Sequence, residues 1–135
     1  MNTTAIAADT QFPFSGASYT ADAEEAELWT DETSFPEVGC YKLGCDISAS
    51  YVLTDGPLDV DLNGHTVDID DITCFGHVII RDTSSKKTGT INDSGTESLF
   101  TVFDELEVYG GTINGYSKAN AEGTIDVMQT GSFRP

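Results

Sequence analysis

A short frame, Gly-x-Thr followed by Val or Ile, recurs along this chain and restricts what it can fold into. It stands at Gly64-His65-Thr66-Val67 and at Gly110-Gly111-Thr112-Ile113, with a looser copy at Gly89-Thr90-Ile91-Asn92 and an echo at Gly123-Thr124-Ile125-Asp126. Thr66, Thr90 and Thr112 are 24 and 22 residues apart. A repeat of that size cannot bury an apolar face alone, so successive repeats must stack as a solenoid. Just before the first frame, Leu58-Asp59-Val60-Asp61-Leu62 alternates apolar and acidic residues, the pattern of a strand with one face turned inward. Asn63-Gly64 then turns the chain.

The rest of the chain is arranged around these frames as one domain. Residues 1–19 read as an irregular arm. Residues 20–29 read as a short helix capped by Thr20 or Asp22, with Glu24, Glu25 and Glu27 near its dipole-favoured start. Ala23, Ala26 and Trp29 share one face of that helix, which would close the open first repeat. The arm and cap occupy 1–37 and the repeats 38–135. Thr83-Ser84-Ser85-Lys86-Lys87 reads as a surface insertion. A fourth repeat starts at Thr124 and stops unfinished, leaving an edge that invites a second copy and hence a homodimer.

Tyr41-Lys42-Leu43, Asp46-Ile47 and Leu58-Asp59-Val60-Asp61-Leu62-Asn63-Gly64-His65-Thr66-Val67 resemble the N-terminal coils of right-handed parallel β-helix proteins of the pectin-lyase-like class. The resemblance covers residues 38–128. It implies an all-β fold: a short right-handed parallel β-helix of three to four coils, completed here by the N-terminal helical cap. That class includes lyases, glycosidases, phage fibres, adhesins and inert surface modules, so the fold does not fix an activity.

Matching coils by their frames places Val60, Val78 and Leu106 in one inward column and Leu62, Ile80 and Val108 in the next. Asp59, His77 and Glu105 then face outward beside Asp61, Ile79 and Glu107, with His77 between the carboxylates of Asp59 and Glu105. Lyases of the resembled class use a carboxylate cluster for calcium and a basic proton acceptor, often Arg. Here Arg81 beside Asp82 reads as a surface pair, and Arg134 is next to last. Asp70-Asp71 and Gly76-His77 lie too close in sequence to meet from different coils. No catalytic residue, cofactor or metal ligand is assigned. Cys40, Cys45 and Cys74 have no His at zinc-finger spacing, and they read as free thiols in a reducing compartment.

Charge is the outlying property: 23 Asp and Glu against 6 Lys and Arg, a net of -17. Self-repulsion of that size needs a compensating reason, whether high salt, bound cations or a basic partner. Three to four coils at about 4.8 Å make a rod of roughly 15–19 Å. Duplex DNA of that length carries on the order of 10 charges. A compact acidic chain without catalytic groups is similar, in charge and size, to the DNA-mimic inhibitors of the anti-CRISPR and anti-restriction kind. The expected function is therefore docking on the basic surface of a nucleic-acid-binding protein. The acids expected to do so are Asp59, Asp61, Asp68, Asp70, Asp71, Asp104, Glu105 and Glu107, with Glu24, Glu25 and Glu27 as a second patch. The alternative is a carbohydrate-facing module that stacks sugars on Tyr109 and Tyr116. Residues 1–19 lack the basic and apolar regions of a signal peptide, which predicts a cytoplasmic protein, or an extracellular one if a leader has been removed.

Overall fold

The computed structural model describes residues 26–95 and 99–115 in full, and the backbone of three further strands, at 117–119, 124–127 and 132–134. Among the described residues every regular element is a strand. In chain order they are β1 (Glu27–Trp29), β2 (Gly39–Leu43), β3 (Ile47–Thr54), β4 (Leu58–Asp61), β5 (Thr66–Cys74), β6 (His77–Arg81), β7 (Thr90–Asp93), β8 (Phe100–Val102), β9 (Glu105–Val108), β10 (Thr112–Asn114), β11 (Ser117–Ala119), β12 (Thr124–Val127) and β13 (Ser132–Arg134).

These strands form two sheets, and every pairing is parallel. The first sheet has the order β1-β2-β4-β6-β9-β12 and the second β11-β8-β5-β7-β10-β13, with β3 also paired to β5. From β4 onward the chain passes back and forth between the sheets, crossing the second as one long strand (β5) or as two short ones in succession (β7 and β8, β10 and β11). Parallel neighbours cannot be joined by tight hairpins, so each connection must leave one sheet and return by way of the other.

Register explains the recurring frame. Thr66, Thr90 and Thr112 are direct neighbours in the second sheet, and Val67, Ile91 and Ile113 stack beside them in the core. The echo at Thr124 does not extend this column. Thr124 lies opposite Glu105 in the first sheet, and Ser132 takes the place next to Thr112. The chain beyond Thr124 thus supplies a strand to each sheet.

In the first sheet the inward columns are Leu58-Val78-Leu106 and Val60-Ile80-Val108, all fully buried. The expected columns were right for β6 against β9 and two residues off for β4. The cause is corner length. Val60 precedes Thr66 by six residues, whereas Val108, its equivalent, precedes Thr112 by four. The longer corner holds Asn63 and Gly64, both at positive φ (49° and 81°). That conformation suits Asn and Gly and disfavours most other residues. Asn63 also donates from its side chain to the Leu43 carbonyl at 3.0 Å, tying the corner to the preceding strand.

The helical cap expected over 20–29 is corrected where the structure describes it: Glu27–Trp29 is a strand. It pairs with Tyr41–Leu43, and the Trp29 ring meets the Tyr41 ring edge-on at 5.0 Å, both packed on the apolar core. The Trp29 indole N–H is shared between the carbonyls of Asp31 and Ser34. Pairing along the edge satisfies the backbone of β2, which a helix lying across it would leave open. Residues 20–25 lie outside the described residues. The insertion after β6 is exposed from Ser85 to Thr88, as expected.

Candidate functional site

The outer face of the first sheet carries the alternate residues of β4, β6 and β9, and it is not the open acidic surface the sequence suggests. Asp59, Ile79 and Glu107 are adjacent in register and all three are fully buried. Asp61 is 3% exposed. These carboxylates therefore cannot meet a partner directly, which corrects the expectation for Asp59, Asp61 and Glu107.

Each is used inside the fold. Arg81 binds both oxygens of Asp59, its Nε donating at 2.9 Å and its Nη2 at 3.2 Å. This buried pair replaces the expected surface pair of Arg81 with Asp82. Burial pushes the Asp59 carboxyl up to about 7, against the opposing pull of Arg81. The Tyr109 ring lies 5.7 Å from the Arg81 guanidinium carbon, a cation–π contact on the same face. Tyr109 is only 5% exposed, so it offers no platform for a sugar. Burial, aided by Glu107, raises its phenol.

Asp61 accepts from the backbone N–H of Asn63 and Thr83 and from the Thr83 hydroxyl. Asp82, also buried, accepts from the backbone N–H of Gly64, Ser84 and Gly89 and from the Ser84 hydroxyl. Burial disfavours its ionised form, but these four donors prevail and hold its carboxyl below the usual range.

At the start of β6, His77 sits opposite Glu105 and also faces Glu107. Its Nδ1 is 3.7 Å from Glu105 Oε1 and its Nε2 is 3.1 Å from Glu107 Oε1. The carboxylates within ion-pair distance are thus two residues of one strand, while Asp59, set opposite Ile79, is felt by His77 through its charge. Among the described residues this is the one group of three His, Cys, Asp or Glu side chains close enough to share a metal ion. No disulfide joins Cys40, Cys45 and Cys74, and Cys74 is fully buried.

On the second sheet three of the expected acids remain accessible. Asp68 and Asp70 are exposed, and Asp71 is half-buried. The inward set changes from Val67 and Ile69 to Ile72 and Cys74, so Asp70 and Asp71 both fall outside the core. At the same place β5 changes its neighbour from β7 to β8. Asn114 donates to Asn92 at 2.9 Å and Asn92 to Asp68 at 3.2 Å, making a polar ladder up the face. Sequence reasoning found no such ladder. The signal was present in the residue two past each frame threonine: Asp68, Asn92, Asn114.

Asp104 is exposed between β8 and β9, Glu105 is at the rim, and Glu27 is exposed on the edge strand. Glu24, Glu25 and Tyr116 lie outside the described residues. The structure therefore gathers Asp68, Asp70 and Asp71 on one face and separates them from the acids of β4 and β9. Near this face are exposed apolar side chains missed from sequence: Tyr51, Leu53, Phe75 and Phe103. Phe75 and Phe103 stack with centroids 4.9 Å apart and planes 14° from parallel. Comparison with protein-family models, curated proteins and solved structures returns no match to the chain.

Proposed function

We propose that this protein is a non-catalytic binding module, a short right-handed parallel β-helix whose acidic outer face docks on the basic surface of a nucleic-acid-binding protein. The helical winding is supported by the repeated passage of the chain between two all-parallel sheets. Its right hand follows the strong bias of parallel crossover connections. One observation carries the functional reading. Strand β5 presents Asp68, Asp70 and Asp71 outside the core, and the sequences of β3, β5, β7 and β10 contain no Lys or Arg.

Alternate residues on a strand are about 7 Å apart and neighbouring strands about 4.8 Å. Such an array sets carboxylates at spacings comparable to the phosphates of a nucleic acid, without its bases. The face would capture a protein that normally grips the phosphate backbone, in the manner of a DNA-mimic inhibitor. The outer strands β12 and β13 are where a second copy would add.

The test is competition. A panel of purified nucleases and DNA-binding proteins is loaded with labelled duplex DNA, and displacement by this chain is followed at low and high salt. Displacement from at least one panel member, suppressed by salt and abolished in Asp68→Asn/Asp70→Asn/Asp71→Asn, is expected. Equal displacement by that triple variant would refute the acidic-face reading.

A second reading rests on the stacked Phe75 and Phe103 with Tyr51 and Leu53 nearby: a carbohydrate-facing module that stacks sugar rings on this patch. Oligosaccharide binding lost in Phe75→Ala and kept in the triple Asn variant would favour it.

A further inference from the structure

We propose that His77, Glu105 and Glu107 form a binding site for a divalent first-row transition-metal ion, independent of the acidic face on the second sheet. Parallel pairing creates the group. Glu105 and Glu107, two residues apart on β9, point to the same side of the sheet, and β6 sets His77 directly beside Glu105. One ligand atom from each of the three lies within 4.8 Å of the others. Ions of this class bind His nitrogen and carboxylate oxygen at about 2.0–2.2 Å, so ligand atoms around a four-coordinate ion stand roughly 3.5 Å apart. Closing around an ion thus needs a movement of up to about 1.3 Å from this geometry. Glu105, at the rim with a quarter of its side chain exposed, can make that movement.

An independent observation points to a ligand at the same place. The Glu107 side chain is fully buried, with Oε1 against His77 Nε2, and its Oε2 makes no hydrogen bond of normal geometry although the Tyr109 hydroxyl is a neighbour. Leaving a carboxylate oxygen desolvated and unsatisfied is costly, and a metal ion at this point supplies the missing electrostatic partner. Charge agrees as well. Two carboxylates and a neutral imidazole sum to two negative charges, which a divalent ion cancels. The mixed nitrogen and oxygen donor set suits Zn²⁺, Co²⁺ or Mn²⁺ better than Ca²⁺ or Mg²⁺, which favour oxygen alone. Three protein ligands leave a position for water or for a group from a partner.

The competing arrangement is a metal-free one, with an imidazolium held between the two glutamates. Calorimetric titration of the full chain with Zn²⁺, paired with the absorption spectrum of the Co²⁺ form, separates them. The proposal expects one site per chain, no thiolate charge-transfer band, and an affinity at least ~10-fold weaker in Glu105→Gln. His77→Gln should weaken it similarly, and Asp70→Asn on the other sheet should not. Glu105→Gln is the decisive variant, because its rim position spares the core if Glu107→Gln fails to fold. The proposal is overturned by absence of Zn²⁺ uptake, by a thiolate band from the cysteines, or by an affinity that Glu105→Gln leaves unchanged.

Discussion

Raising the pH from 5 to 8 should destabilise this protein, with Asp59 as the main cause. Its carboxyl titrates near 7 in the folded chain, where burial outweighs the pull of Arg81, against an ordinary value of 3.8. Between about pH 4 and 7 the folded state therefore holds a proton that the unfolded state has released. Folding takes up that proton, so stability is greatest below this window and is lost as pH rises through it. The whole separation of about three pH units corresponds to roughly 4 kcal/mol as an upper bound, of which the part above pH 5 is roughly 3 kcal/mol. Asp46, favoured as an anion by the Thr66 N–H and His65, and Asp82 act in the opposite sense below about pH 4. The stability optimum should accordingly lie on the acid side of neutrality.

Urea unfolding at pH 5 and pH 8 measures this, with Asp59→Asn as the control whose pH dependence should be much flatter. General repulsion from a net charge of -17 also grows with pH, so the series is repeated in about 1 M salt, where the Debye length is roughly 3 Å. Screening should remove the surface contribution and leave that of the buried carboxyl. If Asp59→Asn and the parent chain have the same pH slope in high salt, the assignment to Asp59 is wrong.

Arg81→Leu should cost about 3–5 kcal/mol at pH 8, where it strands the Asp59 anion, and distinctly less at pH 5, where Asp59 takes up a proton. The same denaturation series reads both values. Leu106→Ala empties a fully buried position next to Val78 and should cost about 2–5 kcal/mol, visible as a lower urea midpoint at an unchanged slope. Burial raises the Cys74 thiol, so a disulfide reagent should modify Cys74 only on unfolding, after the half-buried Cys40 and Cys45.

The second sheet was legible because its frame recurs. Thr66, Thr90 and Thr112 mark equivalent positions, and the structure sets them side by side. The first sheet was legible only up to the length of its corners. Aligning it from the same threonines slid β4 by two residues, because the Asn63-Gly64 corner is the longer one. An even slip keeps inward residues inward, so the core columns stayed apolar while the partners of Asp59 and Asp61 changed. Trp29 shows a different ambiguity. Its spacing from Ala23 and Ala26 suits a helix, yet the same ring faces inward from an edge strand against Tyr41. The His77 group was legible in part: the frame alignment set His77 beside Glu105, and the structure keeps that pairing, but the two-residue slip of β4 put Asp59 where Glu107 stands. Burial was the property least visible of all, since alternation separates inward from outward but does not say which outward residues are covered.

That last point bears on how the charge of the chain is to be read. Much of the acidity is architectural. Asp31, Asp46, Asp61 and Asp82 each accept from at least one backbone N–H at a corner or strand start, a task for which a short carboxylate is well suited. Parallel sheets need such corners at every crossing, so a chain built from many of them accumulates aspartates whatever it binds. Asp59 and Glu107 are enclosed as well, paired with Arg81 and His77. The exposed acids are spread over the molecule, with Glu27, Asp31, Glu32, Glu37, Asp46, Asp55 and Asp104 outside the second sheet's strands, whereas Asp68 and Asp70 stand together on it without Lys or Arg on β3, β5, β7 or β10. If the protein acts through its charge, neutralising those two residues should weaken binding far more than an equal change in net charge at Glu27 on the opposite sheet. Equal losses from both would mean that bulk charge alone governs association.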